Sequence, residues 1–292
     1  DKHEQISEIA DTAPYQQKNT KKKKMLEMAK NYDFDWKHHI KLKKICDDLK
    51  IEYMASCFDK SSVDFYIKKL KANIIKIASS EIDNLRLLKH INKSCNNVIL
   101  STGMSSLKEI DIAVKTLKDV KNLGLLQCTS LYPTPIDDVN LNVLNVYKKK
   151  YNLTLGFSDH TLDNLAALIS IGFGCRIIEK HFTLNKKFKG PDHKISMDPK
   201  ELKNYIYQIR EAEKALGVKV KLPSKSEKKM IKYTRRGIFA SEDIKKNQII
   251  RSNNLCYKRP AIYTKIEDEN KILGKKAKVF IQKGSALKKG TF

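Results

Sequence analysis

Residues capable of chemistry stand together in one short stretch, GFSDHT at 156–161. An alternating apolar run, NLTL, comes directly before it, and a helix-like stretch, LDNLAALIS, follows it. Ser158 in such a position commonly caps the following helix, whereas His160 can bind a metal ion or transfer a proton. The stretch is therefore either a helix cap with an incidental histidine or one side of an active site.

A second histidine, His181, follows the next apolar run, in RIIEKHFT at 176–183. Two histidines at the ends of consecutive strands can share a divalent metal ion, with water and a substrate oxygen as further ligands. Taken alone, His181 is equally well explained as a hydrogen-bonded core histidine, and this pair is a weaker signal than HExxH. The polar residues at the other strand ends are what favours a site.

Lys76 and several hydroxyl groups occupy those other strand ends. Lys76 lies between apolar neighbours in NIIKIASS, and a lysine in a buried strand needs a partner because burying an unpaired charge is costly. Hydroxyl groups beside a lysine suit a phosphate or carboxylate, since several donors can share one anion. The candidates at strand ends are Ser56, Lys76, Ser79, Glu81, Ser101, Thr102, Thr129, Ser130, Tyr132, Ser158, Asp159, His160, Glu179 and His181, and a later loop adds Asp192 and His193.

Apolar runs alternate with amphipathic helical stretches from about residue 50 to 216, which predicts βα units and a parallel sheet. The six predicted strands lie at 51–56, 73–81, 97–103, 123–130, 153–159 and 176–183. No GxGxxG turn opens a helix, and polar residues end nearly every run. This pattern favours an α/β (β/α)8 barrel, with its site at the carboxyl ends of the strands, over an open doubly wound sheet. We expect the first two barrel strands to lie upstream of Asp1.

The sequence pattern divides the chain into three segments. A helix at 201–217, stopped by Gly217, closes a TIM-barrel domain assigned to 1–217. Residues 218–234 are predicted to be a linker. Short alternating runs broken by KKN and KKG turns predict a small all-β domain at 235–292.

Lysine and arginine outnumber acidic residues 58 to 33, giving a net charge of +25. The lysines are scattered along the chain, which fits a solvated surface or steering of anionic substrates better than a nucleic-acid interface. No run approaches the roughly 18 apolar residues that span a membrane, and no signal peptide is visible. The six cysteines form no CxxC pair, so we predict reduced thiols in a cytoplasmic protein.

Taken together, the motifs GFSDHT, IIEKHFT, GPDHKISMDP, KIASSE, ILSTGM and CTSLYPTP resemble the sialic acid synthase family, which makes N-acetylneuraminate, legionaminate and pseudaminate. RRGIFASEDIKKNQIIRSNNLCYKRP resembles the antifreeze-like (SAF) domain of that family. The resemblance implies an enzyme that condenses phosphoenolpyruvate with N-acetylmannosamine or a related N-acyl hexosamine and releases phosphate. It also implies Mn²⁺, or Mg²⁺ or Co²⁺, and a domain-swapped homodimer in which each SAF domain covers its partner's barrel mouth.

By motif position, the resemblance also implies residue roles. The implied metal ligands are His160 and His181, and the implied catalytic residues are Lys76, Glu179 and His181. The implied phosphoenolpyruvate ligands are Ser56, Lys76, Ser79, Ser101 and Ser158. The implied sugar ligands are Ser130, Tyr132, Glu179, Asp192 and Arg259, the last reaching the neighbouring subunit's site.

The chain departs from the family pattern in ways that keep other functions open. ASCF at 55–58 replaces STPF, Gln127 stands where histidine is common, and the family's catalytic glutamate belongs to the strands expected upstream. One alternative is a catalytically impaired sugar- or phosphate-binding homologue. Another is a different phosphoenolpyruvate-condensing barrel, such as a 3-deoxy-heptulosonate synthase, although the SAF-like segment argues against it.

Overall fold

Six parallel strands form the sheet of the first of two units in the computed structural model, which describes residues 5–292. The units are residues 1–217 and 218–292. The strands of the first unit are β1 (Ala55–Ser56), β2 (Ile74–Ile77), β3 (Asn97–Ser101), β4 (Asn122–Cys128), β5 (Thr154–Asp159) and β6 (Ile177–Lys180). All six predicted strands are therefore present, each of them shorter than its apolar run.

Each strand pairs with its sequence neighbour, so the order across the sheet is β1-β2-β3-β4-β5-β6. A doubly wound sheet reverses this order at a switch point, whereas the described strands proceed in one direction. That is the arrangement of a (β/α)8 barrel, and the prediction of a partial barrel is confirmed.

Helices lie before, between and after the described strands. They are α1 (Pro14–Thr20), α2 (Met25–Tyr32), α3 (Trp36–Asp48), α4 (Lys60–Asp64), α5 (Leu85–Ser94), α6 (Leu107–Thr116), α7 (Val143–Lys150), α8 (Leu165–Phe173) and α9 (Pro199–Leu216). Helix α9 begins at a capping box, in which Asp198 accepts hydrogen bonds from the amides of Lys200 and Glu201. It ends at Gly217, as the sequence predicts.

The core of the first unit lies between the sheet and these helices. Ile75, Leu100 and Leu125 are fully buried strand residues, and Leu88 of α5 and Leu144 of α7 are fully buried helix residues. Burial of the continuous apolar strands fixes the sheet register, so the polar residues at the strand ends are held in place by the core.

The second unit contains helix α10 (Lys225–Thr234) and the antiparallel strands β7 (Gly237–Ala240) and β8 (Leu255–Lys258). Its core contains Ile238, Ile250 and Ile272, all fully buried. The predicted linker at 218–234 is partly helical, because α10 starts at a capping box formed by Ser224 and Glu227. No helix among residues 5–292 combines the length and apolar character needed to cross a bilayer.

Candidate active site

A cavity of about 660 Å³ opens at the carboxyl ends of the sheet strands. Parallel strands present their carboxyl ends at one edge, so residues distant in sequence converge there. The predicted site residues that line the cavity are Ser56, Lys76, Ser79, Ser101, Ser130, Tyr132, Ser158, His160, Glu179 and His181. Asp192 is not among the lining residues, and Arg259 lies after β8 in the second unit.

Lys76 and Glu179 form an ion pair across the cavity. Lys76 is 6% exposed, and its Nζ lies 3.4 Å from Oε2 of Glu179. Ser158 donates a hydrogen bond of 2.7 Å to the other oxygen, Oε1 of Glu179. Because three strands separate β2 from β6 in the sheet, this contact requires the sheet to curl as a barrel does.

Two serine hydroxyls extend the polar floor next to Lys76. Ser101 is 2% exposed, and its Oγ has no hydrogen-bond partner among the described residues. A buried hydroxyl left unpaired costs about 1–3 kcal/mol, so a ligand oxygen that pairs with it is favoured. Ser79 accepts a hydrogen bond of 2.9 Å from the amide of Gly103. The lysine and these hydroxyls together suit an anionic ligand.

Gly103 keeps space open beside this floor. A Cβ at this position would lie 2.2 Å from Oγ of Ser130 and 2.9 Å from Oγ of Ser79. Those distances are far below van der Waals contact, so any larger residue would displace two hydroxyls that line the cavity. The need for glycine here comes from close approach of the backbone to the site.

His160 and His181 lie side by side, with ring centroids 5.1 Å apart. Nδ1 of His160 donates a hydrogen bond of 2.8 Å to the carbonyl of Thr129, which leaves its Nε2 free to act as a ligand. Nδ1 of His181 lies 4.0 Å from Oδ2 of Asp192. Metal-binding histidines are commonly oriented by a carbonyl partner such as that of His160, whereas a separation of 4.0 Å is too long for a hydrogen bond between His181 and Asp192.

The imidazole nitrogens of His160 and His181 are the candidate protein ligands for a metal ion in this cavity. Among residues 5–292, no group of three histidine, cysteine or acidic side chains could hold a metal ion, so water and substrate would supply the other ligands. Burial lowers the pKa of His181 despite the opposing charge of Asp192, which favours the neutral, ligating form. Burial alone would lower the pKa of His160, but hydrogen bonding to Cys128 and Thr129 outweighs it and raises that pKa.

Asp159, the middle residue of the stretch at 156–161, points away from the cavity. It is fully buried, and its Oδ1 accepts hydrogen bonds from the amide and hydroxyl of Thr161. Its Oδ2 lies 3.0 Å from Nζ of Lys180 and accepts a hydrogen bond of 2.8 Å from Tyr205. The helix-cap explanation for Ser158 is wrong, because α8 has Asn164 as its N-cap and the hydroxyl of Ser158 donates to Glu179 instead. Asp159 stabilises the turn, while Ser158 and His160 line the cavity.

Comparisons with known proteins agree with this arrangement. The NeuB family matches residues 1–221, and the SAF domain matches residues 235–292. The chain belongs to the NeuB family. The resemblance drawn from the motifs is thus confirmed.

Two relatives and one solved structure place the chain within the NeuB family. N,N'-diacetyllegionaminic acid synthase of Campylobacter jejuni is 42% identical over 261 residues, covering 88% of this chain and 78% of that protein. Pseudaminic acid synthase of the same species is 34% identical, covering 93% and 79%. The structure of N-acetylneuraminic acid synthetase from Leptospira borgpetersenii in complex with citrate aligns with a TM-score of 0.66 and 34% identity, covering 70% of this chain and 72% of that one.

One side of the NeuB-type cavity was missed by sequence reasoning. Ala13, Tyr15, Gln16 and Met25, which belong to or flank α1 and α2, also line it. They precede the first described strand. A prediction that looks for site residues only at the carboxyl ends of strands therefore omits them. Their local signal, a proline followed by YQQ, is typical of any helix start.

Proposed function

We propose that this protein is a nonulosonic acid synthase that condenses phosphoenolpyruvate with an N-acyl hexosamine; water adds at C2 of phosphoenolpyruvate and phosphate leaves from the resulting adduct. The observation that carries the proposal is the buried lysine, Lys76, beside the unpaired hydroxyl of Ser101 in the same cavity as two histidines. Relatives named as legionaminic and pseudaminic acid synthases, each covering most of both chains, support the same reaction.

Phosphoenolpyruvate is assigned to the floor of the cavity. Lys76 supplies the positive charge, and Ser79, Ser101 and Ser158 supply hydroxyls, with Ser56 beside Lys76 in the register of β1 and β2. Fixed donors in a site of low dielectric stabilise an anion without reorganising during the reaction. In this assignment they orient C3 of phosphoenolpyruvate toward the sugar's aldehyde carbon, where the new carbon–carbon bond forms.

The sugar is assigned to the space between Glu179 and Tyr132. Burial raises the pKa of Tyr132, so its hydroxyl stays protonated and can donate to a sugar oxygen. Glu179 is held by Ser158 and Lys76 and can accept hydrogen bonds from sugar hydroxyls. Ser130 adjoins them in the cavity, and Asp192 is assigned to the sugar side through its position behind His181.

His160 and His181 are assigned as ligands of Mn²⁺, or of Mg²⁺ or Co²⁺. Imidazole nitrogens suit first-row transition metals better than they suit Mg²⁺. When bound, the ion supplies Lewis acidity toward the carbonyl oxygen of the sugar. The chain's own contribution is to orient the imidazole of His160 through Thr129 and to place the carboxylate of Asp192 4.0 Å from Nδ1 of His181.

The proposal includes a homodimer in which the SAF domain of one subunit brings Arg259 to its partner's site. It also includes the boundaries 1–217, 218–234 and 235–292 and a cytoplasmic location, with small-molecule substrates rather than nucleic acid or membrane. The rival heptulosonate synthase is disfavoured by the SAF match at 235–292. The impaired-homologue reading is disfavoured because Lys76, Glu179 and both histidines share one cavity.

A phosphate-release assay on the full-length protein tests the proposal. The assay contains phosphoenolpyruvate, Mn²⁺ and either N-acetylmannosamine or a 2,4-diacetamido hexose. We expect release with at least one sugar, and a loss of about 100-fold or more in Lys76→Met, because one preorganised donor is worth that much. Lys89→Met, on α5 outside the cavity lining, serves as the control. Absence of phosphate release with every acylated hexosamine would refute the synthase assignment.

A further inference from the structure

We infer that helix α1 forms the part of the site that contacts the far end of the sugar, with Tyr15 as a specificity-determining residue. The inference rests on the proposed function. It adds helix α1 to the site, although α1 lies outside the motifs at the strand ends. Tyr15 and Gln16 line the same cavity as His160 and His181. The role proposed for Tyr15 is binding and selection, without a part in bond making.

Helix α1 is held by one hydrogen bond that closes its own segment and by one to the rest of the unit. The amide of Thr12 donates to the carbonyl of Lys23 over 2.9 Å, which closes the segment that contains the helix. Nδ2 of Asn19 donates a hydrogen bond of 2.7 Å to the carbonyl of Pro191. That second contact ties α1 to the loop after β6, so Tyr15 is held on a supported element.

Tyr15 continues a row of rings that begins at the two histidines. Its ring stacks on Tyr132, with centroids 5.2 Å apart and planes 23° from parallel. Tyr132 in turn lies 4.3 Å from His160 and 5.6 Å from His181, centroid to centroid. Tyr15 is therefore one ring further than Tyr132 from the two histidines, where the aldehyde of the sugar is assigned. A substrate whose aldehyde lies at the histidines reaches Tyr15 with its opposite end.

The hydroxyl of Tyr15 is a donor at neutral pH. Burial, followed by the charge of Asp192, raises the pKa of Tyr15 to about 12. Oδ1 of Asp192 is itself buried and accepts no hydrogen bond from the described residues, so Asp192 retains unused acceptor capacity behind the ring. Tyr15 combines an apolar ring with a polar hydroxyl, which is the usual character of a tyrosine in a binding site.

This surface matches an acylamino substituent. An acetamido group carries a methyl, which packs on an aromatic face, and an amide, which needs one donor and one acceptor. Tyr15 and Met25 supply apolar surface. Gln16 lines the cavity beside them and can donate from its Nε2, while its Oε1 accepts a hydrogen bond from the amide of Ala13. A hydroxyl at the same sugar carbon would fill less of this surface. We therefore expect α1 to favour hexosamines with a second acylamino group at C4, which is further from the aldehyde than the first one at C2.

Steady-state kinetics of Tyr15→Ala and Tyr15→Phe in the full-length protein test the inference. For Tyr15→Ala we expect KM for the 2,4-diacetamido hexose to rise about tenfold, which is the scale of one lost aromatic contact. KM for phosphoenolpyruvate should stay within about twofold, and the preference for this sugar over N-acetylmannosamine should shrink. Tyr15→Phe keeps the ring and should recover most of the affinity. Tyr207→Ala, 62% exposed on α9, is the matched control.

Two results would overturn the inference while leaving the synthase assignment intact. One is an unchanged KM for both sugars in Tyr15→Ala, and the other is an equal rise in KM for phosphoenolpyruvate and sugar, which indicates general disruption. Saturation-transfer NMR with the 2,4-diacetamido hexose measures the contact without turnover. A signal that is lost in Tyr15→Ala and kept in Tyr207→Ala supports the inference even if no phosphate is released, and an equal signal in both variants contradicts it.

Discussion

Nζ of Lys180 lies 3.0 Å from Oδ2 of Asp159, and the two side chains are 4% and 0% exposed. Lys180 also donates a hydrogen bond to the carbonyl of Thr161. The pair thus connects the end of β6 to the turn that carries His160. Because both charges are buried, each depends on the other for compensation.

Lys180→Met is expected to lower the free energy of unfolding by about 3–5 kcal/mol, because it leaves the carboxylate of Asp159 buried without its cation. Urea denaturation followed by circular dichroism measures the change. Lys214→Met is the control, since Lys214 pairs with Glu211 at the surface, where its side chain is 75% exposed and such pairs contribute little. A loss for Lys180→Met no greater than for Lys214→Met would show that the buried pair is not needed.

Gly103→Ala is expected to damage the floor of the site, because the added Cβ would displace Ser130 and Ser79. We expect a rise in KM for phosphoenolpyruvate and a loss of about 1–3 kcal/mol in stability, as for other overpacked positions. Gly172→Ala is the control, since a Cβ there meets nothing within 4 Å and alanine is favoured in a helix. Equal kinetics in the two variants would show that the cavity tolerates a methyl group at position 103.

The partial barrel and most of the site could be predicted from sequence, because both follow from the repeated apolar runs that end in polar residues. A continuous apolar run that ends in polar residues fixes where a strand stops, and parallel strands stop at the same edge. Lys76 and Ser101 belong to such runs, and both line the cavity. Their positions in these runs were enough to predict that they line the site, because core packing fixes the register of every strand.

Residues whose position depends on tertiary packing could not be predicted in this way. Tyr15 lines the cavity on a helix that Asn19 ties to Pro191, a contact that spans 172 positions. Asp159 points away from the cavity toward Lys180 and Tyr205, which compensate its charge, and nothing in its local sequence distinguishes it from its neighbours. The direction of a side chain at a strand end thus depends on hydrogen-bond and ion-pair partners that are distant in the sequence.

The assignment of His160 and His181 as metal ligands predicts that alanine at either position weakens Mn²⁺ binding by about 100-fold or more. Loss of an outer-shell partner alone costs about 10–100-fold, so loss of a ligand should cost at least as much. Electron paramagnetic resonance of free Mn²⁺ measures the affinity directly. His90→Ala is the control because His90 pairs with Asp64 instead. Unchanged affinity in both His160→Ala and His181→Ala would disprove the metal assignment.

The proposed exchange of SAF domains predicts that two inactive variants restore activity when mixed. Lys76→Met removes the positively charged side chain that lines the cavity of the barrel. Arg259→Ala removes the side chain assigned to the partner's site. If each site combines one subunit's barrel with the other's SAF domain, a mixed dimer contains a site with both residues intact. If each site uses its own SAF domain, every site in the mixed dimer lacks one of them.

Subunits are exchanged by mixing the two purified variants after mild dissociation, and phosphate release is then measured. We expect activity well above the sum of the separate variants. Mixing Lys76→Met with the double variant Lys76→Met/Arg259→Ala is the control, because no arrangement of those subunits contains Lys76. Activity equal to that sum, from subunits shown to have exchanged, would mean that Arg259 does not act on the partner's barrel.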